Sequence, residues 1–288
     1  MALCGCGKLG KDGRVRKDLD WTAWYNDDEV VNKPGIMLMS FNVRLASASE
    51  DTGDKDWNNR RTGCYAMVNT LRPVLMGTQE CQLTQRNDLK DNCAGYEVIG
   101  RSRDSSSGGE QMAIFYLKDS VKVESWTTFW LSDTPNKVSK PSAAEHYRCA
   151  NCAKFTHIKT GKQFYQIDTH LDLGPVRGYE MGVILKYIRD NLDTSLPIVL
   201  NADWNDTEDS SIFDEMYAEG FQNARWTAIT GDSYGTFNGF TDPNKTTKID
   251  HIFYRGFSGC SKFVTVRQKW DGYLFISDHY PVYAILQF

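Results

Sequence analysis

From Gly35 to Phe288 the chain is a succession of apolar runs of strand length, and this feature most constrains its fold. Strands are expected at 35–42, 74–80, 96–100, 111–117, 121–131, 147–156, 163–169, 197–202, 248–254, 262–269 and 280–288. Two segments carry a clear helical period. Cys64, Met67, Val68 and Leu71 recur at helical spacing until Pro73 stops the run, and Val183, Ile184, Tyr187, Ile188 and Leu192 do the same. Shorter helices are expected at 83–91 and 211–220. Each clear helix lies between two strands, which suits helices packed outside a sheet.

A length of 288 residues accommodates one large domain, 35–288, behind an N-terminal extension, 1–34, that ends at the turn signal Lys33-Pro34-Gly35. The extension is expected to pack Trp21, Trp24 and Tyr25 on the domain. With 41% hydrophobic and 24% charged residues, the chain can build a sizeable core and belongs with soluble globular proteins. The net charge of -4 supplies no global positive field for a long polyanion. A divalent ion and a few local arginines could still bind phosphate.

No apolar run approaches the roughly 18 residues of a spanning helix, so no transmembrane segment is expected. Met1 to Trp24 lacks the apolar stretch of a signal peptide, and an extracytoplasmic location would require a trimmed leader. A monomer is expected. The close pairs Cys4/Cys6 and Cys149/Cys152 read as small hydrophobes rather than metal ligands, the second pair beginning a strand. Asn205-Asp206-Thr207 and Asn244-Lys245-Thr246 are glycosylation acceptor sequences, the first overlapping the candidate site.

The chemistry gathers at strand ends. Asn42, Glu80, and Asp203 with Asn205 each close an apolar strand, and Asp250 and Asp278 fit the same picture. Hard oxygen donors converging on one rim suit Mg²⁺, or Mn²⁺, which prefer carboxylates, amides and water. The alternative is ordinary turn chemistry, since Asp and Asn are common wherever strands end.

The order of these segments weighs against that alternative. Ser40-Phe41-Asn42-Val43-Arg44, Gly77-Thr78-Gln79-Glu80, Asp168-Thr169-His170, Asn201-Ala202-Asp203-Trp204-Asn205, Lys248-Ile249-Asp250 and Ser277-Asp278-His279 together resemble the endonuclease/exonuclease/phosphatase superfamily of deoxyribonuclease I-like metal-dependent phosphoesterases. The resemblance implies a four-layered α/β/β/α sandwich, with two mainly antiparallel mixed sheets packed face to face. It also implies roles. Glu80, Asn42 and Asp278 would hold the metal; Asp203 would activate water, Asn205 would hold a phosphate oxygen, and His279 would contact the scissile phosphate with Asp250 fixing its ring. His170 would sit opposite as phosphate ligand or proton donor. Two positions depart from the pattern: Ala202 stands where glycine is usual, and Asp168 where asparagine is common before Thr-His.

Runs around Gly109 to Tyr116, Phe129 to Pro135 and Gly235 to Phe240 look like a bacterial, deadenylase- and sphingomyelinase-like branch. That branch implies no single activity; a phosphodiesterase or nuclease is expected, with nucleic acid, nucleotide or lipid head group as substrate. A phospholipid phosphodiesterase, a sugar or nucleotide phosphatase, and a non-enzymatic binding module on the same scaffold are the alternatives. Arg44, Arg148 and Arg177 are candidate phosphate contacts, and Trp270, in the 270–275 loop, a candidate substrate contact. His251 follows Asp250 in a strand, faces the other way and is expected to be structural.

Overall fold

The computed structural model describes residues 34–106 and 108–288; all of the expected extension but Pro34, including its aromatics and the Cys4/Cys6 pair, lies outside the described residues. Among the described residues twelve strands form two sheets of six. The strands are β1 (Gly35–Asn42), β2 (Leu75–Cys81), β3 (Tyr96–Ile99), β4 (Gln111–Leu117), β5 (Val121–Trp130) and β6 (Cys149–His157), followed by β7 (Gln163–His170), β8 (Ile198–Asp203), β9 (Gln222–Asn223), β10 (Asp250–Arg255), β11 (Gly259–Thr265) and β12 (Val282–Gln287). One sheet runs β11-β12-β1-β2-β4-β3 and the other β5-β6-β7-β8-β10-β9. In each sheet one adjacent pair is parallel, β1 with β2 and β7 with β8. The remaining paired strands are antiparallel.

The helices are α1 (Trp57–Leu71), α2 (Leu83–Asn92), α3 (Val176–Asn191), α4 (Asp214–Ala218) and α5 (Ala224–Thr227). Asp56 caps α1 by accepting the Asn58 N–H, and Arg72 ends it in the left-handed conformation just before Pro73. Ile36, Leu38, Leu75, Phe164, Val199 and Ile252 meet between the sheets. Met39, Phe41 and Met76 face Cys64, Met67 and Val68 of α1, while Ile167, Leu200 and Phe253 face Ile184, Leu185 and Ile188 of α3. The result is the expected four-layered sandwich. Strands covered on both faces read as nearly unbroken apolar runs, which is why they were recognisable.

Expected boundaries moved where the pairing geometry overrode composition. Lys248 and Ile249 stay in a loop, and a register shift between Cys260 and Lys262 moves β11 toward Gly259. The expected 211–220 helix divides into a 3-10 turn, Ser211–Phe213, and α4. Strand β9 and helix α5 are too short to have a period and were not anticipated. Cys149 and Cys152 are buried free thiols that pack in different apolar clusters, as expected of small hydrophobes.

The inter-sheet layer positions the site, because its side chains change character along the strands. Beyond Leu38, Leu75, Phe164, Val199 and Ile252 come Ser40 and Asn42, Gln79, Gln166 and Asp168, Asn201 and Asp203, and Asp250. Parallel pairing of β1 with β2 and of β7 with β8 puts all their carboxyl ends on one rim, and antiparallel β10 adds Asp250 opposite Asp203. Deeper in, Gln79 and Asn201 each donate to Asp168 Oδ1 at 2.7 Å, and Gln166 donates to Asn201 at 2.6 Å. Gly77 makes room for this network. A Cβ there would lie 1.9 Å from Asn201 Nδ2 and 2.4 Å from Asp168 Oδ1.

Candidate active site

Three rim residues adopt a backbone conformation that side chains normally avoid. Arg44, Glu80 and Asn205 have φ of 55°, 58° and 51°, each at a cost of about 1–3 kcal/mol. Such strain persists where surrounding bonds enforce it. For Glu80 the cause is a bulge in β2 against β4, between Thr78 and Cys81, which re-aims its carboxylate along the rim. Glu80 Oε2 there accepts the Leu45 N–H at 3.1 Å.

Asn42 Nδ2 bridges the sheets, donating to Glu80 Oε1 at 3.0 Å and to Asp203 Oδ2 at 2.9 Å. Asn205 N–H donates to the other Asp203 oxygen at 3.0 Å. Both candidate histidines approach Asp203 Oδ2, His170 Nε2 at 3.4 Å and His279 Nε2 at 3.6 Å. His279 Nδ1 lies 2.9 Å from Asp250 Oδ2. Asn205 Nδ2 donates to the Leu171 carbonyl at 2.8 Å, and this fixes the amide. Its second hydrogen points to His170 Nε2 at 3.1 Å, which assigns the His170 proton to Nδ1.

The two imidazoles are pushed in opposite directions. Burial, and then the positive charges of Arg148 and Arg103, hold His170 well below the usual histidine range, so it is neutral. Burial also works against charge on His279, but Asp250 and Asp203 outweigh it and hold it well above that range. It is an imidazolium at neutral pH. Burial raises Asp203 above the usual carboxylate range while His279 pulls it down.

Asp203, Asp250 and His279 offer ligand atoms within 4.8 Å of one another, a spacing that could hold an ion. With His279 charged, however, both its ring nitrogens are donors and neither can ligate. Glu80 and Asp278 fit a hard divalent ion better. Burial raises Asp278, His279 lowers it, and the negative charge of Glu80 raises it further, crowding that a cation would relieve. Asn42 presents its NH₂ group to the two acids, while its Oδ1 accepts the Arg44 N–H at 3.0 Å.

The remaining expected contacts scatter. Arg44 is engaged by Asp51 at 2.9 Å and Glu50 at 2.6 Å, and lies 3.9 Å from Asp278. Arg177 donates to the Asn205 carbonyl and pairs with Asp206 at 3.5 Å, so it braces the Asn205 turn. Arg148 is buried, 3.5 Å from Asp172. Trp270 packs with Tyr273 on the α1 side of the core. Its backbone approaches α1 closely, for a Cβ on Gly63 would come within 2.9 Å of the Trp270 carbonyl.

The residues that support the rim have no local signature in the amino-acid order. Arg60, fully buried, donates to the carbonyls of Val43, Arg44, Lys55 and Ile276 at 2.7–2.8 Å. It ties the segment after Asn42 to the segment before Asp278. Ser277 Oγ donates to the Asn42 carbonyl at 2.7 Å, and Asn238 Nδ2 to the Ser277 carbonyl at 3.1 Å. His251 faces away from the rim, as expected, yet it holds the Asp206 carbonyl at 3.0 Å while Trp204 Nε1 donates to the His251 carbonyl. Asp168 also acquires an explanation. Burial pushes it well above the usual carboxylate range, so it is a neutral acid standing where an amide is common.

Glu180 on α3 accepts the Asp172 N–H at 2.8 Å, and burial pushes its carboxyl up from 4.5 to about 7. An acid raised on folding favours the folded state below its unfolded value, and that advantage is lost as pH rises toward the folded value. Glu180→Gln removes the term. Its melting temperature relative to wild type is expected to climb between about pH 4.5 and about pH 7 and then level off, as thermal melts across that range would show; a flat difference would contradict it.

A two-sheet sandwich with acids, amides and an imidazolium on one rim defines the class of phosphoester-hydrolysing α/β/β/α proteins. Residues 39–279 match the endonuclease/exonuclease/phosphatase family, and the chain belongs to it. Members generally use a divalent metal. A solved endonuclease/exonuclease/phosphatase family protein from Bacteroides thetaiotaomicron is 27% identical, with a TM-score of 0.81 over 89% of this chain and 98% of that one. A mannosyl-6-phosphatase from the same organism is 30% identical, with a TM-score of 0.80 over 88% and 100%. An uncharacterised calcium-binding protein of Arabidopsis thaliana is 24% identical over 208 residues, 65% of this chain but 38% of that protein. The chain thus spans little more than a third of that relative's length. Among the described residues no helix is long and apolar enough to cross a membrane.

Proposed function

We propose that this chain hydrolyses phosphate esters with the help of Mg²⁺ or Mn²⁺ held by Glu80 and Asp278, with Asn42 orienting the Glu80 carboxylate. The carrying observation is a single carboxylate, Asp203, approached by one neutral and one cationic histidine. Two titratable groups driven apart by their surroundings suit acid–base work at neutral pH. Asp203 orients the attacking water and takes its proton, while the His279 imidazolium, fixed by Asp250, binds a phosphoryl oxygen where charge develops. On the opposite side Asn205 fixes the His170 ring through Nε2, which leaves His170 Nδ1–H for the phosphate. Bound at the rim, the ion would neutralise phosphoryl charge and make water more acidic.

A small phosphate ester is the favoured substrate. The net charge of -4 offers a long polyanion little attraction, and a neighbour at 30% identity is described as a mannosyl-6-phosphatase. Arg44, Arg148, Arg177 and Trp270 divide accordingly: Arg44 and Arg177 brace the rim, Trp270 seats a loop, and Arg148 remains for the substrate. The assay is hydrolysis of p-nitrophenyl phosphate and bis-p-nitrophenyl phosphate with Mg²⁺, with Mn²⁺ and with EDTA. Turnover is expected with metal and lost in EDTA; no metal-dependent turnover of either ester would end this reading. Faster turnover of the diester would favour the nuclease or phosphodiesterase expected from the sequence.

A further inference from the structure

Two buried acids, Asp172 and Glu180, lie within electrostatic reach of Arg148 and balance its charge, but they leave most of its donors without an acceptor. Arg148 stands just before β6, beside the strand that ends in His170, and is only 5% exposed. Its Nε and Nη1 are buried with no hydrogen-bond partner, and its Nη2 has an ion pair with Asp172 at 3.5 Å. Asp172 gives its other oxygen to the His146 N–H at 2.9 Å. A buried guanidinium with idle donors destabilises the fold unless something supplies acceptors. His170 Nδ1, which carries that ring's proton, is also buried without a partner. Arg103 lies within electrostatic reach of both Arg148 and His170, and its own charge is matched by Glu110 at 2.6 Å.

We infer that Arg148 and His170 Nδ1–H form an anion subsite that recognises the second negative charge of a phosphate monoester, which makes monoesters, not diesters, the substrate class. The inference rests on the phosphoesterase reading above. A monoester dianion brings one more anionic oxygen than a diester monoanion, and a guanidinium supplies paired donors for it where a lysine supplies a point charge. If Arg148 only neutralised Asp172, its removal would affect both ester classes alike.

The test compares kcat/KM for p-nitrophenyl phosphate and bis-p-nitrophenyl phosphate, with Mg²⁺ present, in wild type and Arg148→Met, both checked for folding by thermal melts. The monoester-to-diester ratio is expected to fall by about tenfold to a hundredfold in the variant, the value of a charge-assisted hydrogen bond. Arg148→Lys should recover part of it. An unchanged ratio overturns the subsite. Should Arg148→Met fail to fold, inhibition of the wild type decides. At about pH 8 inorganic phosphate, a dianion, is expected to inhibit at roughly tenfold lower concentration than dimethyl phosphate, and equal inhibition overturns the subsite. Absence of turnover on both esters by wild type would instead remove the phosphoesterase reading on which the subsite rests.

Discussion

Asp203→Asn is expected to lower kcat on p-nitrophenyl phosphate by about 10²–10⁴-fold, the usual contribution of a positioned general base, while the protein stays folded. The substitution preserves shape but removes the charge that His279 and the attacking water both require. Asn42 Nδ2, Asn205 N–H and the two histidines already converge on this carboxylate, while Asp250, the acid beside it, is engaged by His279 Nδ1. The matched substitution Asp168→Asn lies on the neighbouring strand and should leave kcat close to wild type. Asp168 is already held neutral by burial, and an amide oxygen can accept from Gln79 and Asn201 as its Oδ1 does. Steady-state rates and circular dichroism of both variants test the contrast. Equal effects at the two positions would mean that Asp203 is no more than a member of the inter-sheet network.

Arg60→Met should cost stability on the order of 3–5 kcal/mol, the range for removing one partner of a buried charged arrangement. That is a large share of the about 5–15 kcal/mol that holds a typical protein together. The methionine fills part of the volume but leaves the carbonyls of Val43, Arg44, Lys55 and Ile276 without their donor inside the protein. Two of these belong to the segment after Asn42 and one to the segment before Asp278, so the loss falls on the rim. Urea unfolding gives the stability change, and metal-dependent turnover of the folded fraction gives the effect on the site. Arg60→Lys should recover little, since one ammonium cannot span four acceptors. A variant as stable as wild type would show that these carbonyls find other donors.

The roles of Arg60, Arg44 and Arg177 were not legible in the amino-acid order. Arg60 sits on a helix with a clear apolar period, where a charged residue reads as solvent-facing, and the carbonyl from Ile276 that it holds lies 216 positions away. Arg44 and Arg177 were expected at phosphate, yet local acids and a backbone carbonyl engage both. Trp270 was expected at the substrate, but tight packing against Gly63 turns its loop onto the helix layer. Pairings of this kind depend on distances between segments remote in sequence, and no local pattern encodes them.

The strands other than β9, the two longer helices and the strand-end acids and amides could be determined from the amino-acid order alone. Apolar runs buried on both faces have a local signature, and a residue's place at the end of its own strand is a local property. Which ends share a rim was decided by parallel pairing of β1 with β2 and of β7 with β8, and by the meeting of the two sheets. The charge states were decided there as well. Sequence offers two histidines beside carboxylates, but burial with Asp203 and Asp250 makes His279 a cation, and burial with Arg148 and Arg103 keeps His170 neutral, because desolvation and Coulomb energy depend on three-dimensional distance.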